Sequence, residues 1–342
     1  MRCVADVIVV GAGPAGAAAA IQSALLGRSV VMLERGLARA RPGETLHPGT
    51  EAILAQLGVL AQVEAVAEIR HTAIDVDWGG RLQRVPYAPA GQGPWFGYQV
   101  DRARLEAILL ARAQALEVEI LHPCRALAVD VNDAVVKVTS SDGVIGGRVL
   151  IDATGSAAWL SRQLGICIGR YSPPLRSRFG YCATRGSNGD AVPQLVGTRA
   201  GWSWVAPLGA ARTAWVQTTW NGSKPRKPPS LDGAEDLAPS KGADVTWRRS
   251  TVVAGAGFFV CGDAAGLLDP CSSHGVLRAL MSGMMAAYQA SQNVGSRVGA
   301  TRYQAWIDAW WHADVARLRR FYSELDPASA LSPAVHAESA RH

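Results

Sequence analysis

Gly11, Gly13 and Gly16 stand in the spacing G-x-G-x-x-G, and Glu34 follows eighteen residues after the last of them. On a strand–turn–helix these residue types have a definite use. The first glycine permits a tight turn, the second lets backbone approach a pyrophosphate, and the third lets helix and strand pack closely. The helix N-terminus, with its free N–H groups and dipole, attracts the phosphates. An acid at the position of Glu34 accepts hydrogen bonds from a ribose and disfavours a 2′-phosphate. A helix that merely begins with small residues is the plain alternative, and the flanking elements decide between the two.

Those elements have the required order. Asp6 to Val10 (DVIVV) is a β-branched run of the kind that forms a buried parallel strand, and the pattern turns helical from Pro14 to about Leu26, with Gly27 suited to the C-terminal cap. "SVVMLE" then reads as a second strand ending on Glu34, which completes a βαβ unit of a doubly wound fold. Further on, "TAIDVDW" alternates as a strand does, and Asp101 to Leu116 is a helix with Asp101 as N-cap and Leu105, Leu109, Ala113 and Leu116 on one stripe. "VEIL", "RALAVDV", "AVVKVTS" and "RVLIDATG" are short strands, and residues 175–220 have the Trp-, Val- and Thr-rich alternation of antiparallel strands. Residues 221–242 are punctuated by proline and glycine and read as an exposed, mobile loop. "GFFVCGDAAG" returns to a buried strand, Val276 to about Gln292 and Thr301 to Leu325 are helices, and the tail beyond is expected to be disordered.

Composition removes several classes. The 342 residues are 49% hydrophobic and 18% charged, enough for a large core and two domains. The formal charge of +6 is spread along the chain without a run, so no nucleic-acid footprint is expected. Six cysteines include no C-x-x-C pair, which implies neither a zinc site nor a disulfide framework and fits a reducing, cytoplasmic setting. The apolar stretch from Asp6 to Gly27 carries Pro14 and several glycines and is rich in Ala rather than Leu, so neither a secretory signal nor a membrane span is expected.

Three landmarks, the glycine loop, "IDATG" (residues 151–155) and "FVCGDAAGLLDP" (259–270), together with "YQVDRARLE" (98–106), resemble the FAD-dependent oxidoreductases of p-hydroxybenzoate hydroxylase-like fold. The resemblance implies an α/β fold, a Rossmann-type FAD-binding domain (1–70, 98–165 and 250–295) with an inserted, mainly antiparallel substrate domain (71–97 and 166–249), a C-terminal helix (296–325) and a flexible tail (326–342). It implies that Gly11, Gly13, Pro14, Ala15, Gly16, Glu34 and Arg35 hold the nucleotide half of FAD. Arg102, Gly155, Gly262, Asp263 and Gly266 would support the ribityl and pyrophosphate, and Pro270, Gly275 and Val276 would lie by the flavin. Arg41, Gly43 and Glu44 would fix a loop over it; an ordinary solvent-facing pair is the alternative for Arg41 and Glu44.

"RPGETLHP" (41–48), "GWSWVAPL" (201–208) and "DPCSSHGVLRALMSG" (269–283) are similar to the flavin-dependent halogenases and their hydroxylase relatives. Halogenases of this kind depend on a lysine in the N-terminal half. Here no lysine precedes Lys137, and the corresponding strand offers Arg70 and His71, whose guanidinium is no substitute because it stays protonated. The turn "DPCSSHG" resembles most the flavoproteins that modify Trp side chains during tryptophylquinone maturation, with His274 where a Gln is expected. The function implied is a monooxygenase acting through a flavin C4a-hydroperoxide on an electron-rich aromatic, a tryptophan or a Trp residue of a peptide or protein. Required with FAD are O2 and either NAD(P)H or a partner flavin reductase, since no second glycine loop follows a strand. His274, Ser273 and His71 are the catalytic candidates, His274 first, as a proton acceptor near its usual pKa of ~6.5; a capping or core histidine is the alternative. Three other functions remain: a reductase of the geranylgeranyl reductase type, a halogenase, and a flavoprotein that holds FAD without turnover. The last helix, with Tyr303, Trp306, Trp310, Leu318 and Phe321 in steps, reads as a packing stripe, or else as a docking surface for a protein substrate.

Overall fold

The computed structural model describes residues 4–36, 44–131, 135–183, 192–209, 211–220, 222–292 and 297–325. At its centre Glu119–Leu121, Val30–Leu33, Ala5–Val10, Gly143–Asp152 and Phe258–Val260 lie side by side in that order, each parallel to its neighbour. The strand Ala5–Val10 is flanked on both sides and covered on both faces, which is why its sequence is a β-branched run rather than an alternation. Two further strands, Ala126–Val131 and Val136–Ser140, extend the sheet antiparallel from the first half of Gly143–Asp152.

The helix Pro14–Leu25 explains its own alanines. Residues 14–23 are all buried, because the helix is packed between the sheet and the long helix Gly275–Gln292. The approach is so close that a Cβ on Gly283 would lie 2.1 Å from the Ala15 carbonyl oxygen. Gly27 follows the helix in the left-handed conformation, as expected of its cap. Asp101 caps the helix Arg102–Ala115 by accepting from the N–H groups of Ala103 and Arg104.

A second sheet runs Lys241–Asp244, Arg176–Ala183, Arg212–Thr219, Gly201–Leu208, Gln194–Thr198, Ala73–Trp78, Leu82–Pro86. All its pairs are antiparallel except Gln194–Thr198 with Ala73–Trp78. Between the two sheets lies a small one, Glu44–Leu46, Gly97–Val100 and Ile69–His71. The last helix begins at Arg297, four residues before the expected start, and continues to Leu325.

Residues 222–240 differ from the expectation of a free loop. Leu231 is buried with Cys182, Val205 and Trp215, Asp236 forms a bridge with Cys182, and Lys227 Nζ donates to the Ala234 carbonyl and pairs with Asp236. One buried leucine and local backbone bonds fasten a segment whose composition reads as solvent-exposed. The tail beyond Leu325 lies outside the described residues. No described helix is long and apolar enough to cross a membrane.

Candidate active site

A cleft of about 690 Å³ opens at the carboxyl ends of the central parallel strands, where ligands bind in open α/β sheets. Its floor is the glycine loop. Gly11 has φ +102°, and a Cβ there would stand 2.5 Å from the Ala153 carbonyl oxygen. At Gly16 a Cβ would stand 1.8 Å from the Gly11 carbonyl oxygen, so this glycine is a packing requirement beneath the cleft. Gly13 is different: a Cβ would meet nothing within 4 Å, and the residue lines the open space. No side chain caps the helix that Pro14 begins, so its first-turn N–H groups remain available to an anion.

Glu34 leaves its strand at the cleft edge. Its Oε2 accepts from Ala12 N–H (2.8 Å) and its Oε1 from Gly36 N–H (2.9 Å), which fixes the carboxylate beside the loop. Arg35 lines the same end, with Arg125, Trp159 and Arg162 across the cleft. Arg102, Gly155 and Asp263 line the middle, and Pro270, Gly275 and Val276 the far end. Arg102 Nε donates to Glu106 Oε1 at 2.7 Å, which aligns its guanidinium along the wall.

Other candidates fall elsewhere. Gly262 has φ +60° and a Cβ there would crowd Ala15 Cβ at 2.8 Å, so it is a packing position next to the cleft. Gly266 is covered by the Trp311 ring, 2.8 Å from where its Cβ would be, and packs under the last helix instead of facing the cleft. Arg41 and Gly43 lie outside the described residues, and Glu44 is described only as the start of a strand.

The catalytic candidates gather on the other side of the turn Pro270–Gly275. Ser273 ends that turn at φ +52° with its N–H donating to the Pro270 carbonyl, and neither it nor His274 lines the cleft. The His274 ring lies 4.7 Å from that of His47, His47 lies 5.7 Å from Tyr87, and Tyr87 lies 5.4 Å from His71. Burial, reinforced by His47, Arg278 and Arg317, pushes the His274 pKa down to about 3, and burial with Arg317 lowers that of His47. Both imidazoles are therefore neutral at neutral pH. His47 Nδ1 accepts from Gly49 N–H (3.2 Å), which leaves its proton on Nε2. Among the described residues His274 Nδ1 is buried without a partner.

His71 has a different part. Trp204 Nε1 donates to Thr45 Oγ1 (3.1 Å), the Thr45 hydroxyl to Gln99 Oε1 (2.9 Å), and Gln99 Nε2 to His71 Nε2 (3.2 Å). At the end of the chain His71 Nδ1 meets the Ala73 carbonyl at 3.2 Å. A carbonyl can only accept, so Nδ1 carries the proton and Nε2 is the acceptor. Burial pushes its pKa down to about 4. With both nitrogens used, His71 ties the small sheet to the second sheet and is not a free base. Sequence pattern alone placed it with the catalytic residues because nothing in its neighbourhood shows that its partners are 28 and 2 residues away.

Two carboxylates were not read from the sequence. Asp152 Oδ1 accepts from Thr154 N–H and Oδ2 from Leu160 N–H, both at 2.9 Å, so this buried side chain shapes the turn that brings Gly155 into the cleft. Asp269 is 1% exposed, belongs to the cleft wall, and is held by three hydrogen-bond donors. The quoted motifs contain both residues, and an acid inside an otherwise apolar strand-end run was the available signal. Arg278 also lines the cleft, lies 3.4 Å from Asp314 and sits over the Trp310 ring.

The cleft fits FAD. Gly13, Gly155 and Gly275 each leave open space where a side chain would intrude, the helix N-terminus is uncapped, and the volume suits a large ligand. Residues 4–166 match the FAD binding domain family. Over 314 residues the chain is 29% identical to the menaquinone reductase of Mycobacterium tuberculosis, a match spanning 83% of this chain and 76% of that one. Its fold is similar to that of the myxobacterial chondrochloren halogenase (TM-score 0.84, 21% identity, 98% and 87% of the two chains). It is also similar to that of a peptidyl tryptophan dihydroxylase essential for tryptophylquinone cofactor biogenesis (TM-score 0.75, 20% identity, 96% and 78%). A glycine cradle, a ribose acid and a cleft that fits the cofactor thus coincide with a matched domain and a shared fold: residues 4–166 are an FAD binding domain, and the chain has the p-hydroxybenzoate hydroxylase-like fold of these flavoproteins.

Proposed function

We propose that the protein is a monooxygenase that hydroxylates an electron-rich aromatic substrate, a tryptophan or a Trp residue of a peptide or protein. The observation that carries this reading is the pair of neutral imidazoles, His274 and His47, next to the turn whose other side faces the cofactor cleft. Gly11, Gly13, Pro14, Ala15, Glu34 and Arg35 hold the nucleotide half of FAD, with Arg102, Gly155 and Asp263 along the middle and Pro270, Gly275 and Val276 at the flavin end. Reduced FAD together with O2 supplies an electrophilic oxygen atom, and its electrons come from NAD(P)H or a separate flavin reductase.

The chain's own residues then have two tasks. Tyr87, Trp204 and the two imidazoles provide a desolvated, largely aromatic surround that excludes water. His274 Nδ1, buried and unpartnered among the described residues, takes the proton released when the hydroxylated ring regains aromaticity. That proton is strongly acidic, so an imidazole of low basicity suffices.

A reductase of prenyl-type substrates is the second reading, favoured by the 29% identity to a menaquinone reductase. Halogenation is disfavoured by the absence of an amine. No lysine lines the cleft, and Arg70 is paired with Glu64 and stacked against Phe96 and Tyr98. Product mass after turnover of the reduced holoenzyme in air, with bromide present, separates the readings. Tryptophan, Trp-containing peptides and a prenylated quinone would be offered in turn. Gain of one oxygen on an indole is the expected result; gain of two hydrogens on the prenyl chain, or of bromine on the ring, would overturn it.

A further inference from the structure

Asp269 is the meeting point of four parts of the molecule. Its Oδ1 accepts from the Tyr322 hydroxyl (2.8 Å) and from Cys271 N–H (3.0 Å), and its Oδ2 accepts from Trp247 Nε1 (2.6 Å). The Tyr322 oxygen in turn accepts from Trp202 Nε1 at 2.7 Å. Tyr322 belongs to the last helix, Trp202 to the second sheet, Trp247 to the segment before Arg248–Ser250, and Cys271 to the turn that borders the flavin end of the cleft. The direction of these bonds fixes a charge. Indole N–H and backbone N–H can only donate, and the Tyr322 hydroxyl donates to Asp269 as well. Three donors converging on one carboxyl group favour its ionised form, against burial, which favours the neutral acid.

Among the described residues the charged and titratable groups around it are few. Arg278 approaches from the helix Gly275–Gln292, itself paired with Asp314 of the last helix and influenced by Asp263; Cys271 and Tyr322, both buried, complete the set. Tyr322 through Asp269, and Asp314 through Arg278, give the last helix two connections into the cleft wall.

We propose that Asp269 is a fixed anion that tunes the reduction potential of the flavin, and that Tyr322 is the positioning residue that keeps it ionised. A negative charge in the wall opposes the arrival of electrons on the cofactor, and the Tyr322 hydroxyl maintains that charge by making the carboxylate the favoured form. The inference rests on FAD occupying the cleft and not on which substrate is oxidised.

The test is the midpoint potential of the FAD-loaded protein between pH 6 and 9, with the melting temperature of each variant. Asp269→Asn is expected to raise the potential throughout the range. Tyr322→Phe removes one charge-assisted hydrogen bond, which moves the carboxyl pKa up. Its potential should therefore exceed the wild-type value at low pH and converge on it at high pH. Trp202→Phe removes a hydrogen bond from the same network but leaves Tyr322 on Asp269, so it should lower the melting temperature and leave the potential unchanged. A purely structural network would show Tyr322→Phe melting lower with the wild-type potential at every pH, and that result overturns the proposal. Should Tyr322→Phe fail to hold FAD, Asp269→Asn decides: a wild-type potential in that variant also overturns it. Failure of the wild-type protein to bind FAD would instead strike the cofactor assignment itself.

Discussion

Cofactor affinity turns on single atoms in the glycine loop, and two neighbouring glycines should fail in different ways. A side chain at Gly13 meets no protein atom, so Gly13→Asp should fold with an unchanged melting temperature. Its carboxylate would occupy the phosphate cradle, weakening FAD binding on the order of a hundredfold when measured by titration of the apoprotein. Gly11→Ala should lose both affinity and stability, because φ is +102° and the Ala153 carbonyl blocks the Cβ. The histidines make a pH-dependent contribution whose sign follows from their depressed pKa values. His71, near 4 when folded against 6.5 as a free side chain, stays neutral where the unfolded chain takes up a proton. Stability is therefore complete above pH 6.5 and declines as pH falls toward 4. Between pH 7 and 5 the difference amounts to about 2 kcal/mol for His71. Urea denaturation of His71→Gln should show a smaller loss between those two pH values than the wild type shows; an equal loss would mean that His71 is not held neutral.

Elements rather than residues bring the site together, and the helix hairpin Gly275–Gln292 with Arg297–Leu325 does most of it. Arg278 on the first helix pairs with Asp314 on the second, and His274 lies one turn before Arg278 as Arg317 lies one turn after Asp314. That register sets the Arg317 charge toward His274 and His47, where it disfavours their protonation. Arg317→Gln should move the pKa values of both histidines upward in an NMR titration, whereas Arg320→Gln, at an exposed position, should leave them in place. The elements themselves were legible wherever the chain alternates or runs β-branched, as in Ala5–Val10 and Gly201–Leu208, because burial on one face or two dictates those patterns. The stripe on the last helix is packed over most of its length. Tyr303 and Leu318 are buried, Trp306 rests on the core and Trp310 on Arg278, while Phe321 is 42% exposed. Long-range polar pairing was not legible. Asp269 finds Trp247 and Tyr322 at separations of 22 and 53 residues, and no local pattern encodes such partners.

Across the whole molecule, the cofactor cleft and the histidine cluster stand on opposite sides of one short turn, Pro270–Gly275. The parallel sheet supplies the cradle at its carboxyl ends, the small central sheet supplies His71 and leads into His47, and the second sheet reaches that small sheet through Trp204. All four lysines stand away from the cleft, with Lys227 committed to Ala234 and Asp236. In the proposed hydroxylation the reacting oxygen atom comes from O2 and ends on an aromatic ring. A single turnover of the reduced, FAD-loaded protein with ¹⁸O₂ and a Trp-containing peptide, read by mass spectrometry of the peptide, tests this most directly. One ¹⁸O on the indole is the expected result. Reoxidation of the flavin with an unlabelled peptide, alongside saturation of a prenylated quinone offered in the same experiment, would contradict it.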